Sequence, residues 1–296
     1  MTSGPEPPAD DSDQLAIFAR HRHRLRAVAY RMTGSIADAD DVCQEAWLRW
    51  AAINPADVRQ PEAYLITTIT RLCLDRLGSS VHRREQYVGP WLPEPMIGDE
   101  PGESAELADS LTFAFLVLLD ELSPNERAAL LLHDVFGYGF DEVATTLGES
   151  TSNARQLASR ARRTLAAART TSVRPAPDVA AGVIVGFLSA MAAGDIGGVM
   201  AHLSPDVIQL DDGGPKRRAA RRPIVGPDRV ARFWVNLSKR IRSDWTVQMA
   251  TVNGGPGLVV DSDEGPVMVI TAGFAPDGLI DRIHAQLNPD KLLHVG

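Results

Sequence analysis

Lysine is almost missing from this chain. Three lysines (Lys216, Lys239, Lys291) stand against 27 arginines, and all three lie in the C-terminal third. GC-rich codon usage is the simplest source of that bias, so the bias alone assigns no nucleic-acid partner. Cysteine is scarcer still. Cys43 and Cys73 sit in helix-like segments without metal-ligand spacing, which excludes a disulfide framework and a cysteine zinc site. No apolar run reaches the roughly 20 residues that span a bilayer. The start, MTSGPEPPADDSD, is polar and proline-rich rather than signal-like. The expectation is a reducing, cytoplasmic location with no membrane partner. Positive charge is also short overall: the formal net charge of −8 over 296 residues excludes a globally basic nucleic-acid binder. Any DNA contact must then come from local patches.

Such a patch is present in FDEVATTLGESTSNARQLASRARRTL, Phe140 to Leu165. Val143, Ala144 and Leu147 give a first helix its apolar stripe. Gly148 can take the left-handed conformation that ends it, and Ser150 or Thr151 can cap a second helix. In that helix Ala154, Leu157, Ala161 and Leu165 share one face at helical spacing. The exposed positions carry Arg155, Gln156, Ser159, Arg160, Arg162 and Arg163, with no acid from Ser150 to Arg169. An arginine-rich helix can be merely a solvated face. The turn, the cap and the missing acids together point to a helix-turn-helix reading a major groove.

The length suits two or three domains. Residues 1–12 read as disordered. Residues 13–80 read as three helices, near Gln14–Thr33, Ala37–Ala52 and from Pro61 to a stop at Gly78. Residues 81–110 form an acidic, proline-punctuated linker, with no Lys or Arg between Glu85 and Glu126. Its YVGPWLPEP segment places Trp91, Leu92 and Pro93 in an otherwise polar stretch, where they need a burial partner. Residues 111–170 form a second helical unit, with a capped start at Ser123, Pro124 and Glu126. Residues 176–296 change period. Helices over Val179–Ala193, Ile196–Leu203 and Pro227–Ile241 accompany strands over Val207–Asp211, Trp245–Val252, Leu258–Val260, Val267–Phe274 and Leu279–Leu287. That pattern predicts an α+β domain with a mainly antiparallel sheet.

The two helical units resemble regions 2 and 4 of RNA polymerase sigma factors of the extracytoplasmic-function group. The motif DADDVCQEAWLRW resembles the region 2 helix that grips the polymerase β′ subunit. Asp41, Gln44 and Glu45 share one of its faces, and the resemblance makes them polymerase contacts. The segment RQPEAYLITTITRLCLDRLGSSVHRRE resembles the part that reads and melts the −10 element. Tyr64 could stack on a base, and Arg71, Arg76, His82, Arg83 and Arg84 supply cations along a single strand. Arg71 stands where many members have Asn, and Asp75 could pair with it. The helix-turn-helix resembles the −35 reader, with Arg155, Gln156, Ser159, Arg162 and Arg163 as its recognition face. Three signatures also place the chain near a SigJ-like subgroup with a SnoaL-like C-terminal extension: YVGPWLPEP, DDGGPK at Asp211–Lys216 and NPDKL at Asn288–Leu292. Pro215 replaces the third glycine of a DGGGK motif. The fold implied is multidomain: two all-α sigma domains followed by an α+β SnoaL-like cone.

The resemblance implies a non-enzymatic initiation factor without catalytic residue, metal or cofactor. Its partners would be core RNA polymerase, through the β and β′ subunits, and promoter DNA. The C-terminal domain would regulate the factor in the same chain and could take a small ligand of unidentified chemistry. Trp91, Leu92 and Pro93, together with Asp212, Gly213, Gly214, Lys216, Asn288, Pro289, Asp290, Lys291 and Leu292, are expected to form one intramolecular interface. The acidic peptide Glu94–Asp109 is expected to mimic nucleic acid in the polymerase channel. Two other readings stay open. One is a cyclase or isomerase using Asp211, Asp212, Asp281 or His284 as acid or base. Asp281 and His284 are an odd number of residues apart, so on a strand they face opposite sides. The other is a plain helix-turn-helix regulator, which would need no polymerase-gripping helix.

Overall fold

The structure, a computed structural model, describes residues 11–85, 87–98, 112–168 and 175–295. Residues 1–10 and most of the acidic linker lie outside the described residues. The chain forms two compact units, Met1–His82 with Leu122–Thr164, and Arg83–Glu121 with Leu165–Gly296. The first three helices and most of the second helical stretch, Leu122–Thr164, fall into one unit.

The first unit opens with α1 (Asp11–Thr33), α2 (Ile36–Ala51) and α3 (Pro61–Glu85). Gly34, at φ 69°, supplies the left-handed residue between α1 and α2. Ser35 then caps α2 by accepting from the Asp38 amide at 3.1 Å. Leu25, Val28, Met32, Ala46, Trp50, Leu65 and Ile69 are fully buried between these helices. Helix α3 was expected to stop at Gly78 but runs to Glu85. A helical glycine costs only about 1 kcal/mol relative to alanine, and Gly78 keeps a negative φ, so it interrupts nothing. After α4 (Phe113–Leu119), which belongs to the second unit, come α5 (Pro124–Leu130), a π-helical turn (Leu131–Val135), α6 (Phe140–Leu147) and α7 (Thr151–Ala168). A capping box joins Ser123 and Glu126 at the start of α5. Gly148, at φ 69°, ends α6, and Ser150 caps α7 by accepting from the Asn153 amide at 3.2 Å.

In the second unit, α8 (Pro177–Ala192), α9 (Ile196–Met200) and α10 (Pro227–Ser238) accompany β1 (Leu203–Asp212), β2 (Ile224–Val225), β3 (Thr246–Val252), β4 (Gly255–Ser262), β5 (Gly265–Phe274) and β6 (Ile280–Gln286). The strands form one sheet in the order β2-β1-β6-β5-β4-β3. Only the β1–β6 pair is parallel. Strand β2, two residues long, carries no alternation a sequence reading could find. One face of the sheet packs Val207, Leu258, Ile270 and Ile283 under Phe187 and Trp234 of the helices. On the opposite face Val252, Val259 and Val269 pack with Leu292 and Val295. The linker also reaches this sheet, where Ile97 bridges Val252 on the outer edge of β3. With both faces covered, Asp281 and His284 are each only 3% exposed. The alternation rule places them on opposite faces, but neither is the solvent-facing half of a pattern.

Candidate functional site

The expected polymerase face lies on α2. Asp41, Gln44 and Glu45 are all exposed, one helical turn apart. Glu45 accepts from Arg49 at 2.7 Å. Asp41 accepts from Arg76 at 3.2 Å, and Arg76 also binds the Asp38 carboxylate at 2.9 Å. Arg76, expected among the −10 cations, is thus held at the base of the α2 face. Beside that face Leu15, Phe18, Arg22, Arg26, Asp40, Gln44 and Trp47 line an open groove of about 490 Å³ between α1 and α2.

Among the described −10 candidates, Tyr64, Arg71 and Arg76 have different partners. Tyr64 packs its ring against Trp50 at 5.8 Å, partly buried. Arg71 was expected near Asp75. Instead it donates to the carbonyl oxygens of Thr146 and Thr145, both at 3.0 Å, at the C-terminal end of α6. Both carbonyls lie in the last turn of α6, where Thr145 O also accepts from the Gly148 cap amide at 3.4 Å, and a guanidinium can reach two such oxygens at once. Arg83 and Arg84 lie in the last turns of α3, their side chains outside the described residues.

On α7, Arg155, Gln156, Ser159, Arg162 and Arg163 are all exposed. They are not equivalent. Arg162 makes a two-pronged pair with Asp134, its Nε at 2.7 Å from one oxygen. Arg160 binds Glu126 at 2.8 Å. The acids missing from α7 itself come from the preceding elements. Arg155 lies over the Phe140 ring, 5.5 Å from its centroid.

The three signature segments meet in the second unit. Asp212, fully buried, accepts from Tyr87 Oη at 2.6 Å, the Leu92 amide at 2.9 Å, the Gly214 amide at 3.0 Å and Lys291 Nζ at 2.7 Å. Lys291 Nζ also sits 4.0 Å from the Trp91 ring centroid, a cation–π contact. Gln286 donates to the Leu92 and Pro93 carbonyl oxygens at 3.2 and 3.0 Å. Asn288 donates to Tyr87 Oη at 2.8 Å and caps the 3-10 turn Pro289–Lys291. Glycine is required next door: at Gly214 (φ 55°) a Cβ would lie 2.6 Å from Asn288 Nδ2. Leu292 is buried against the sheet. Lys216 pairs with Asp290 at the rim. Burial and the carboxylate of Asp212 push the Tyr87 hydroxyl well above its ordinary range. Sequence reasoning missed Tyr87 and Gln286. Tyr87 opens the YVGPWLPEP motif and could have been found; Gln286 had no signal. Glu94, counted with the anionic linker, is 6% exposed.

Two cavities inside the cone, about 30 and 40 Å³, are lined by apolar residues and Trp234. A ligand pocket usually takes about 300–1,000 Å³. Trp234 Nε1 donates to Gln209, which donates in turn to Asp211 at 2.8 Å. Burial raises the Asp211 carboxyl to about 6 and, with the Arg282 charge, lowers the His284 imidazole to about 4. Neither residue lines either of these two cavities. Among the described residues there is no cluster that could hold a metal ion, and no helix is long and apolar enough to cross a membrane.

Comparison with known proteins fits this layout. A family model for sigma-70 region 2 matches residues 17–83, and one for sigma-70 region 4 matches residues 112–165. The chain is 40% identical to the ECF RNA polymerase sigma factor SigJ of Mycobacterium tuberculosis over 291 residues, covering 94% of this chain and 93% of that one. It is 34% identical to the ECF sigma factor SigG of the same organism over 226 residues, covering 66% and 60%. The crystal structure of M. tuberculosis SigJ superposes with a TM-score of 0.74 at 35% identity, covering 96% of this chain and 99% of that one. Sigma factors bind core RNA polymerase and promoter DNA and are initiation factors rather than enzymes. With that identity across nearly its whole length, the chain belongs to the extracytoplasmic-function sigma factors of RNA polymerase, as an alternative sigma factor.

Proposed function

We propose that this sigma factor is controlled in cis, its C-terminal unit fixing the linker that follows region 2. The observation that carries the reading is the buried Asp212–Lys291 pair closing on Tyr87, Trp91 and Leu92. A linker segment bound this way has its exit direction set by the sheet, and covalent connection keeps even a modest contact occupied. In this reading α2 presents Asp41, Gln44 and Glu45 to the polymerase β′ subunit, β supplies the rest of the binding surface, and the protein works in the cytoplasm. Region 2, with Tyr64, Arg71, Arg76, Arg83 and Arg84, acts on the −10 element. Helix α7 acts on the −35 duplex through Arg155, Gln156, Ser159 and Arg163, with Arg162 positioned by Asp134.

Run-off transcription with purified core polymerase, using the full chain and a chain lacking residues 176–296, tests control in cis. The expected result is a change in transcript yield from a cognate promoter at equal core affinity. Equal yields would sink the regulatory reading. Charge reversal at Asp41 and Glu45 tests the polymerase face, and core binding is expected to be lost in a folded double variant. Because Asp41 also holds Arg76, the fold is checked by thermal melting, and unchanged affinity would remove the assignment.

A further inference from the structure

The loop between β1 and β2 carries the densest positive charge in an acidic chain. From Gly213 to Pro227 there are five cations, Lys216, Arg217, Arg218, Arg221 and Arg222, and no acid. All five side chains are exposed. Lys216 is paired with Asp290. Among the described residues the side chains of Arg217, Arg218, Arg221 and Arg222 make no ion pair or hydrogen bond.

The loop is nevertheless held. The Arg217 amide donates to the Gly213 carbonyl at 3.0 Å. The Ala220 amide donates to the buried Asp211 carboxylate at 3.4 Å. Gly89 of the linker packs so closely on the loop that a Cβ there would lie 3.4 Å from the Arg221 Cα. Gly214, at the loop's base, is clamped by Asp212 and Asn288. A fixed backbone carrying four unengaged guanidinium groups is preorganised to bind phosphate, since little chain entropy is left to lose and each fork can take two oxygens.

From this placement we propose that the 217–222 loop is a sequence-independent contact for the phosphate backbone of duplex promoter DNA, held in position by the Asp212–Lys291 knot beneath it. The proposal rests on the reading of the chain as a promoter-binding sigma factor and adds to it a DNA contact outside regions 2 and 4. The competing occupant is the acidic linker of the same chain. The described linker, however, runs from Tyr87 and Leu92 at β1 to Ile97 and Gly98 on β3. Strands β1 and β3 are separated by β6, β5 and β4, roughly 19 Å at about 4.8 Å per strand step. The linker thus heads into its acidic stretch from the sheet edge opposite the basic loop.

The test is promoter binding by the reconstituted holoenzyme across salt concentrations, comparing the full chain with a variant carrying Arg217→Gln, Arg218→Gln, Arg221→Gln and Arg222→Gln. Each phosphate contact contributes roughly 0.9 to the slope of log affinity against log salt. Loss of two to three contacts should make the slope shallower by about 2–3, equally for promoters with altered −10 or −35 sequences. At 50 mM salt, where the contacts count most, the variant should bind at least tenfold more weakly. Photocrosslinking from position 218 should label DNA. An unchanged slope in a variant with wild-type thermal melting would overturn the proposal. So would a gain in DNA affinity, or a crosslink to residues 99–109, since either means the loop holds the linker. If the wild-type holoenzyme itself fails to bind any promoter, the promoter-binding reading fails along with it, a result distinct from a wild type that binds with an unchanged slope in the variant.

Discussion

Lys291 has a counter-charge that it cannot exchange for water. Its partner Asp212 takes donors from Tyr87, Leu92, Gly214 and Gln286 as well, and the side chains of the pair are 9% and 0% exposed. Lys291→Met would strand a buried carboxylate, so a loss of about 3–5 kcal/mol is expected in urea unfolding. Asp212→Asn added to that variant should recover part of the loss; a cost below about 1 kcal/mol for Lys291→Met would mean the pair is not desolvated. Asp211 and His284 make a second prediction. His284 titrates near 4 in the fold against 6.5 ordinarily. As pH falls below 6.5 the unfolded chain takes the proton first, and stability drops until about pH 4. Asp211 titrates near 6 against 3.8. As pH rises above 3.8 the unfolded chain loses its proton first, so this group costs stability that is fully spent above pH 6. The two slopes oppose each other between pH 4 and 6. Asp211→Asn should therefore stabilise at pH 7 by roughly 1–3 kcal/mol and uncover a rise in stability from pH 4 to 6.5. Equal unfolding midpoints for variant and parent at pH 7 would show that Asp211 ionises normally.

At the scale of elements, α7 divides its arginines. Arg160 and Arg162 are spent on Glu126 and Asp134, tying the helix to α5 and to the π-helical turn. Arg155 and Arg163 remain exposed without an acidic partner among the described residues. Arg155→Ala should cost about 1–3 kcal/mol at one −35 base position and relax the choice there. Arg162→Ala should weaken all promoters alike, because what it disturbs is the seat of the helix. Affinities over a set of single-base −35 variants separate the two patterns, and a base-selective effect of Arg162→Ala would reverse the assignment. Stability at the other end of this domain hangs on the Ser123–Glu126 capping box, where Ser123→Ala should cost about 1 kcal/mol.

The first unit, taken whole, holds regions 2 and 4 against each other. Arg71 binds the Thr145 and Thr146 carbonyls, and Tyr138 donates to Glu62 at 3.1 Å. Arg24 donates to the Phe136 carbonyl and the buried Arg127 to the Met32 carbonyl, both at 2.7 Å. Promoter elements centred near −10 and −35 lie about 25 base pairs apart, or roughly 85 Å along the duplex at 3.4 Å per pair. Domains in direct contact do not span that distance, so core binding is expected to part this unit and release Arg71 from α6. A fluorescent pair on α3 and α7 should move apart by tens of ångströms when core polymerase is added, and Arg71→Ala with Tyr138→Phe should shift the free protein toward the parted state. An unchanged distance in the holoenzyme would show that the packed form is the working one.

What the sequence determined by itself is what depends on neighbours a few residues away. Helical and alternating spacing marked the elements; Gly34, Ser123, Gly148 and Ser150 marked their ends, because caps and left-handed turns are local chemistry. Motif order also pointed to Trp91–Pro93, Asp212 and Asn288–Leu292 as sides of one contact. Tertiary structure decided how polar groups are spent. Asp212 finds Lys291 79 residues away, Arg162 finds Asp134 28 residues back, and Arg71 finds two carbonyl oxygens instead of Asp75. Gly78 stays helical because glycine's propensity penalty is too small to break a helix with turns on both sides. Asp281 and His284 are buried because both faces of the sheet are covered, and no single strand records what lies above its second face. Periodicity tells which way a side chain points along its own element; only the packed chain tells what it meets there.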